Sequence, residues 1–127
     1  MPATAATPAA GYAPLDPALV VAALEQAVSL SPQRADLHNQ LGITYRMAGE
    51  FKKAKASYEQ SISLDATYAP AVLNLGILYD LYLWDGARAL ELYDRYLQLI
   101  RRAGMTPEMF RDSLRQDMVR QQLMGAL

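Results

Sequence analysis

Residues 35–68 read ADLHNQLGITYRMAGEFKKAKASYEQSISLDATY, and residues 69–99 read APAVLNLGILYDLYLWDGARALELYDRYLQL. Displacing the chain against itself by 34 residues lays Leu41-Gly42-Ile43-x-Tyr45 on Leu75-Gly76-Ile77-x-Tyr79. Displacing it by 35 lays Ala54-x-x-x-Tyr58 on Ala89-x-x-x-Tyr93, and Leu64 on Leu99. One residue has been inserted in the loop around Leu83–Gly86; otherwise the copies keep register. A period of this length marks a solenoid in which each unit is one helix hairpin and stacked neighbours bury a continuous core.

The punctuation of the chain agrees with that period. Ala35–Ala48 is the first helix of a complete unit, with Leu41, Gly42 and Tyr45 on one face. The small Gly42 lets a neighbouring helix approach closely, and Gly49 ends the helix as a residue that tolerates positive φ. Phe51–Leu64 returns antiparallel with Ala54, Tyr58 and Ile62 inward, while Lys52, Lys53 and Lys55 read as a solvated basic face. Thr67 is expected to cap the next helix, with Pro70 tolerated in its first turn; Val72, Leu75, Gly76 and Tyr79 repeat the seam. Leu81-Tyr82-Leu83-Trp84 makes an unusually apolar turn before Asp85-Gly86, and Gly104 closes the partner helix Ala89–Arg102. Upstream, Asp16-Pro17 is an N-cap followed by proline at the first helical position, opening a helix that Pro32 stops. Met1–Pro14 has almost no large apolar side chains and is expected to be a mobile tail.

The repeat resembles the tetratricopeptide repeat (TPR) family. That resemblance implies an all-α fold: a short TPR-type α-solenoid of antiparallel hairpins, about six helices, with a C-terminal capping helix. The expected organisation is a tail at 1–14, a repeat domain at 15–104 and a C-terminal helix at 105–127. The repeat domain divides into a half repeat at 16–31 and full repeats at 35–68 and 69–102. His38 and Val72 stand where the family often has Trp, and Ala66 and Arg101 replace its terminal Pro. The resemblance also implies an inner groove lined by first-helix residues. They are Asp36, Asn39, Gln40, Ile43, Arg46 and Met47 in one unit, and Leu73, Asn74, Ile77, Asp80 and Leu81 in the next. Asn39, Gln40 and Asn74 could hydrogen-bond an extended peptide backbone, and Ile43, Ile77, Met47 and Leu81 offer apolar contact. In the alternative, Ile43, Ile77 and Leu81 pack against the C-terminal helix. Some family members clamp a C-terminal carboxylate with paired Lys and Asn; here Ile43 and Ile77 replace the Asn and the first helices carry no Lys.

Composition narrows the function classes. The net charge of −1 argues against a counterion-releasing surface for nucleic acid. The absence of cysteine removes disulfides, thiolate nucleophiles and cysteine metal sites. No apolar run approaches the roughly 20 residues needed to span a bilayer, so no direct membrane insertion is expected. The N-terminus lacks the basic and apolar regions of a signal peptide, so none is expected. His38, the single histidine, has no second ligand at metal spacing, and no nucleophile–base–orienter set can be assembled. The expectation is therefore no enzyme, no catalytic residue, no metal and no cofactor. The tyrosines could suggest base stacking, but Tyr45, Tyr58, Tyr79 and Tyr93 are repeat-core positions.

The last helix opens at Thr106-Pro107-Glu108 and does not follow the repeat. On a helical wheel Phe110, Leu114, Met118 and Met124 share one face, and Met109, Val119, Leu123 and Leu127 form a second stripe, with Arg111 and Arg115 between them. One stripe can seal the open end of the solenoid; the other predicts a second interaction surface, represented by Phe110, Leu114, Met118, Val119 and Leu123. Arg102–Met118, followed by Gln121-Gln122-Leu123, is similar to a segment of the N-terminal chaperone region of SurA/PpiD-type periplasmic foldases. The shared features are the Gly104-Met105-Thr106 helix start, Phe110-x-x-x-Leu114-Arg115 and the Gln-Gln-Leu ending. None of the isomerase domain is present, so that activity is not implied. This second resemblance implies a chimera, the alternative being a natural capping helix that matches the segment by chance, and a bacterial periplasmic location, with the cytoplasm as the alternative.

The expected function is a non-catalytic scaffold that binds a peptide or partner protein. The alternatives are chaperone-like holding of unfolded clients by the Met-rich last helix, or an engineered fusion without a selected ligand. Self-association is also expected, as a homodimer through one stripe of the last helix.

Overall fold

The computed structural model describes the backbone of residues 16–126 and the side chains of residues 16–120. The tail expected over Met1–Pro14, and the side chains of Leu123, Met124 and Leu127, lie outside the described residues. Six helices and no strand form the described chain: α1 (Pro17–Leu30), α2 (Ala35–Met47), α3 (Phe51–Leu64), α4 (Ala69–Leu81), α5 (Gly86–Arg102) and α6 (Pro107–Ala126).

Helix ends follow from local chemistry. Asp16 accepts from the Ala18 N–H at 2.9 Å, with Pro17 at the first helical position. Asp85 accepts from the Arg88 N–H at 3.1 Å, and Thr106 Oγ1 from the Met109 N–H at 3.1 Å. Gly49 and Gly104 take φ of 81° and 75° past the ends of α2 and α5, where a β-carbon would be strained. Thr67 does not cap α4. Its N–H and hydroxyl both donate to Asp65 Oδ1, at 2.9 and 2.7 Å, in an Asx-type turn. Tyr68 occupies the cap position without a side-chain hydrogen bond.

α2 pairs with α3 and α4 with α5 as antiparallel hairpins, while α1 lies on α2, α3 on α4, and α2 beside α4. The first core cluster gathers Leu41, Tyr45, Ala54, Tyr58, Leu75, Leu78, Tyr79 and Ala89 across both hairpins, with Val21, Leu24 and Val28 of α1 on its edge. The second joins Ala69 and Val72 to Tyr96 and Ile100, with Met105 and Phe110 against it. None of α1 is fully buried, since a second-type helix without a first-type partner keeps one side in solvent. Tyr45 donates to a Glu25 carboxylate oxygen and ties α1 to the hairpin.

Three inward groups differ from the expected set. Ser61 joins the expected inward set as a fully buried residue of α3, its hydroxyl donating to the Ala35 carbonyl at 2.7 Å, while Ile62 is partly buried against both core clusters. A hydroxyl fits there because the first carbonyls of α2 lie against it. Tyr96 is buried while Tyr93 is only half-buried, because α5 turns Tyr96 toward Val72 and Ile100. The lysines of α3 are not simply solvated: Lys53 lies 5.6 Å from the Tyr45 ring centre and Lys55 5.7 Å from that of Tyr79.

α6 caps the repeat end by its first two turns. Phe110 meets Tyr96 edge-on, with ring centres 5.2 Å apart, and Leu114 is half-buried. Met118 is 60% exposed, so the stripe expected to seal the solenoid does so only in its first half. Among the described residues the backbone of α6 approaches that of α5 alone, and Phe110 reaches past it to the cluster that holds Ala69 and Val72.

Candidate functional site

α2 and α4 lie side by side, and their helical repeat sets Asp36, Asn39/Gln40, Ile43 and Arg46/Met47 along one face, with Leu73/Asn74, Ile77 and Asp80/Leu81 beside them. The rows of this face have distinct chemistry. At the N-terminal row, the buried Asn39 accepts from Asn74 Nδ2 at 3.0 Å, binding the two helices together. Asn39 is therefore largely spent within the protein. Asp36 is engaged by Arg34, whose Nε donates to it at 3.1 Å; the hydrogen bond from that guanidinium holds the Asp36 carboxyl below the usual carboxylate range. Gln40 is half-buried, and its main-chain carbonyl accepts the Thr44 hydroxyl at 3.0 Å.

The middle row is apolar. Ile43 packs on the first core cluster, Leu73 on the second, and Ile77 is half-buried between. At the C-terminal row, Met47 and Leu81 are 73% and 57% exposed. Asp80 accepts from the Tyr93 hydroxyl at 3.1 Å, and burial together with that carboxylate pushes the Tyr93 phenol up to about 12. Arg46 reaches across to α4, its guanidinium carbon 5.9 Å from the Tyr82 ring centre. Burial works against its charge, but the Tyr58 and Tyr82 hydroxyls offset this and hold the guanidinium above its ordinary value. Tyr82 is itself stacked on Phe51, with centres 4.8 Å apart.

Two residues beside this face escaped the sequence reading, Tyr82 and Tyr68, and Tyr58, expected as a core residue, also reaches toward it. The Tyr58 ring crosses Gly42 to bring its hydroxyl toward Arg46, and that hydroxyl is buried without a hydrogen-bond partner among the described residues. Tyr68 is half-buried beside Asn39 and Asp36, and burial followed by the Asp36 carboxylate pushes its phenol up. The repeat alignment that pairs Tyr58 with Tyr93 also pairs Arg46 with Asp80, so Arg46 faces Tyr58 as Asp80 faces Tyr93.

The second surface is less ordered in its chemistry. Phe110 and Leu114 face the protein, whereas Met109, Met118 and Val119 are 54%, 60% and 49% exposed. Arg115 and Arg120 pair with Asp112 and Asp117, at 3.8 and 3.3 Å, on the same helix. His38 is buried, with Nε2 2.9 Å from the Pro32 carbonyl oxygen, a structural position. Among the described residues no group of three His, Cys, Asp or Glu side chains could hold a metal ion. No described helix is long and apolar enough to cross a membrane.

Comparison with known proteins follows the same residues. The tetratricopeptide repeat family model matches residues 35–68. An uncharacterized protein, ycf37 of Pyropia yezoensis, is 38% identical over 65 residues, which cover 51% of this chain and 36% of that protein. The crystal structure of MamA superimposes with a TM-score of 0.63 at 26% identity, covering 66% of this chain and 48% of MamA. YrrB, described as a TPR protein with an unusual peptide-binding site, gives a TM-score of 0.61 at 25% identity, covering 65% of this chain and 42% of YrrB. The chain thus spans about a third of the curated relative and about half of MamA. Residues 35–68 carry the signature of the tetratricopeptide repeat family, and the chain folds as a short, all-α, TPR-like solenoid.

Proposed function

We propose that this chain is a non-catalytic interaction module that holds an extended peptide of a partner protein along the face shared by α2 and α4. The observation that carries the reading is that this face stays open. α6 packs on α5 and leaves Ile77, Met47 and Leu81 accessible between polar rows. An apolar strip flanked by hydrogen-bonding groups suits a chain whose side chains alternate between buried and solvated. Gln40, and the amide groups of Asn74 that its bond to Asn39 leaves over, remain for the peptide backbone. The likeness to YrrB, with its peptide-binding site, supports the same reading. Selection from a phage-displayed random peptide pool tests it. Enriched peptides should bind, and Met47→Glu with Leu81→Glu should abolish binding while leaving the helical spectrum intact. No enrichment, or binding indifferent to both substitutions, would overturn the reading.

A second reading concerns α6. Its exposed Met109, Met118 and Val119, on a helix anchored only by its first turns, favour a homodimer in which this stripe contacts a second copy. Sedimentation at micromolar concentrations decides it: a single species at the mass of one chain, 14.0 kDa, that does not shift with concentration would exclude the dimer. Suppression of aggregation of unrelated unfolded proteins would instead indicate client holding, for which adaptable methionines are suited.

A further inference from the structure

The two hairpin turns meet the same backbone demand with different residues. Gly49 stands directly before Glu50, the cap of α3, and Trp84 directly before Asp85, the cap of α5. Both take positive φ, 81° and 57°. After each of them the next N–H returns to an equivalent tyrosine of the preceding helix. Glu50 donates to the Tyr45 carbonyl at 2.8 Å, and Asp85 to that of Tyr79 at 2.9 Å. Glycine adopts such a conformation without steric cost, whereas a bulky residue there is a strained outlier. The turn geometry therefore does not account for a tryptophan at 84. Packing within the chain does not account for it either, since Trp84 is 84% exposed while its neighbour Leu83 turns onto the first core cluster. The indole is left for contact with something outside the folded chain.

We propose that Trp84 anchors a large apolar side chain of the bound peptide, over the C-terminal ends of α2 and α4. The surroundings of the turn name this occupant. Met47 and Leu81 end those two helices with their side chains mostly exposed, and Arg46 ties the ends together, its guanidinium carbon 5.9 Å from the Tyr82 ring centre. The apolar patch thus continues the open α2–α4 face, and a chain lying along that face runs into it. Tyr82, stacked on Phe51, and Leu83, packed on the core, fix the stem of the turn that carries the indole. A fixed stem and only two side-chain torsions keep the ordering cost of burying the indole low. Tryptophan is also among the side chains that most often dominate interface energies. An indole alone would accept a cation as well, but Met47 and Leu81 beside it offer no partner for a charge, which selects a hydrocarbon side chain.

The proposal rests on the peptide-groove reading, and its test separates the two. Trp84 is the single tryptophan of the chain, so tryptophan fluorescence reports on this one side chain. A phage-displayed random peptide pool is selected on the full wild-type chain, and the enriched peptides are synthesised. They should carry a large apolar residue at one fixed position, and each should move the tryptophan emission to shorter wavelength on binding. Trp84→Asn should weaken them about tenfold or more while leaving the thermal midpoint unchanged or raised, a combination that a merely structural residue would not give. Trp84→Phe should recover part of the affinity. Emission that the selected peptides leave unmoved, or equal binding to wild type and Trp84→Asn, would overturn the proposal. So would an emission shift caused by vesicles of phosphatidylcholine and phosphatidylserine, or by raising the protein concentration, and not by the peptides. Peptides that need Met47 and Leu81 but ignore Trp84 would overturn the anchor and leave the groove reading standing. Peptides that need Trp84 but tolerate Gln40→Ala and Ile77→Ala would do the reverse, and an empty selection would overturn both.

Discussion

The ring of Tyr58 lies so close to Gly42 that a β-carbon there would come within 2.6 Å of it. The equivalent approach in the second hairpin is looser: a β-carbon on Gly76 would lie 2.9 Å from the Tyr93 ring and 3.3 Å from the Leu92 β-carbon. Tyr58 is fully buried and cannot give way, whereas Tyr93 is half-buried and can. Gly42→Ala should therefore destabilise the protein by about 1–3 kcal/mol despite its better helix propensity. Gly76→Ala should cost less, and Gly76→Leu several times more, because a branched side chain cannot be absorbed by one movable ring. Urea denaturation of the three variants checks the order; equal midpoints for Gly42→Ala and wild type would refute the close contact.

The asparagine pair across the groove gives a second expectation. Asn74→Ala leaves the buried Asn39 oxygen without its 3.0 Å donor, an omission that costs about 1–3 kcal/mol. The double substitution Asn39→Ala with Asn74→Ala should cost less than the sum of the two single changes, since each alone strands the other partner. A fully additive cycle, measured by denaturant titration, would show that the bond contributes nothing.

Alkaline pH should destabilise the protein as its raised phenols ionise, Tyr45 and Tyr93 among them. Burial first, and then the Glu25 carboxylate, push Tyr45 up to about 12; burial and Asp80 do the same to Tyr93. A group that holds its proton more tightly when folded contributes stability that is complete below its unfolded value. That contribution is lost as pH rises toward the folded value. Stability should thus fall between about pH 10, the unfolded phenol value, and about 12. Tyr45→Phe combined with Tyr93→Phe should flatten that decline, read by far-UV circular dichroism alongside phenolate absorbance.

Trp84 has a φ of 57° and is 84% exposed, so its backbone sits in the left-handed region without packing to offset the strain. Asparagine tolerates that region far better than a bulky side chain does. Trp84→Asn should raise the thermal midpoint, with a gain of up to about 1 kcal/mol. An unchanged or lower midpoint would mean that the indole makes a stabilising contact in solution.

Much of this architecture could be read from spacing. A repeat that returns Leu-Gly-Ile-x-Tyr after 34 residues requires two equivalent hairpins. Asp16-Pro17, Asp85-Gly86 and Thr106-Pro107 mark helix starts because a capping oxygen and a residue needing no helical partner are properties of the local chain. The glycines at the seam were legible for the same reason: their smallness has one use at a helix contact.

What only the tertiary structure decided is how polar groups were spent. Asn39 and Asn74 look alike in sequence, yet their bond to each other depends on the lateral spacing of α2 and α4. Arg46 and Asp80 occupy equivalent places, but Tyr93 reaches Asp80 with good geometry while Tyr58 leaves its hydroxyl unpartnered beside Arg46. Thr67 does not cap α4 because its N–H and hydroxyl are both given to Asp65 Oδ1, while Tyr68 takes the cap position. The C-terminal helix was legible as amphipathic, but only the structure decides that Phe110 packs on Tyr96 while Met109 and Met118 stay in solvent. Periodicity determines which residues share a face; the distances between faces determine which of them are already satisfied and which remain free to bind.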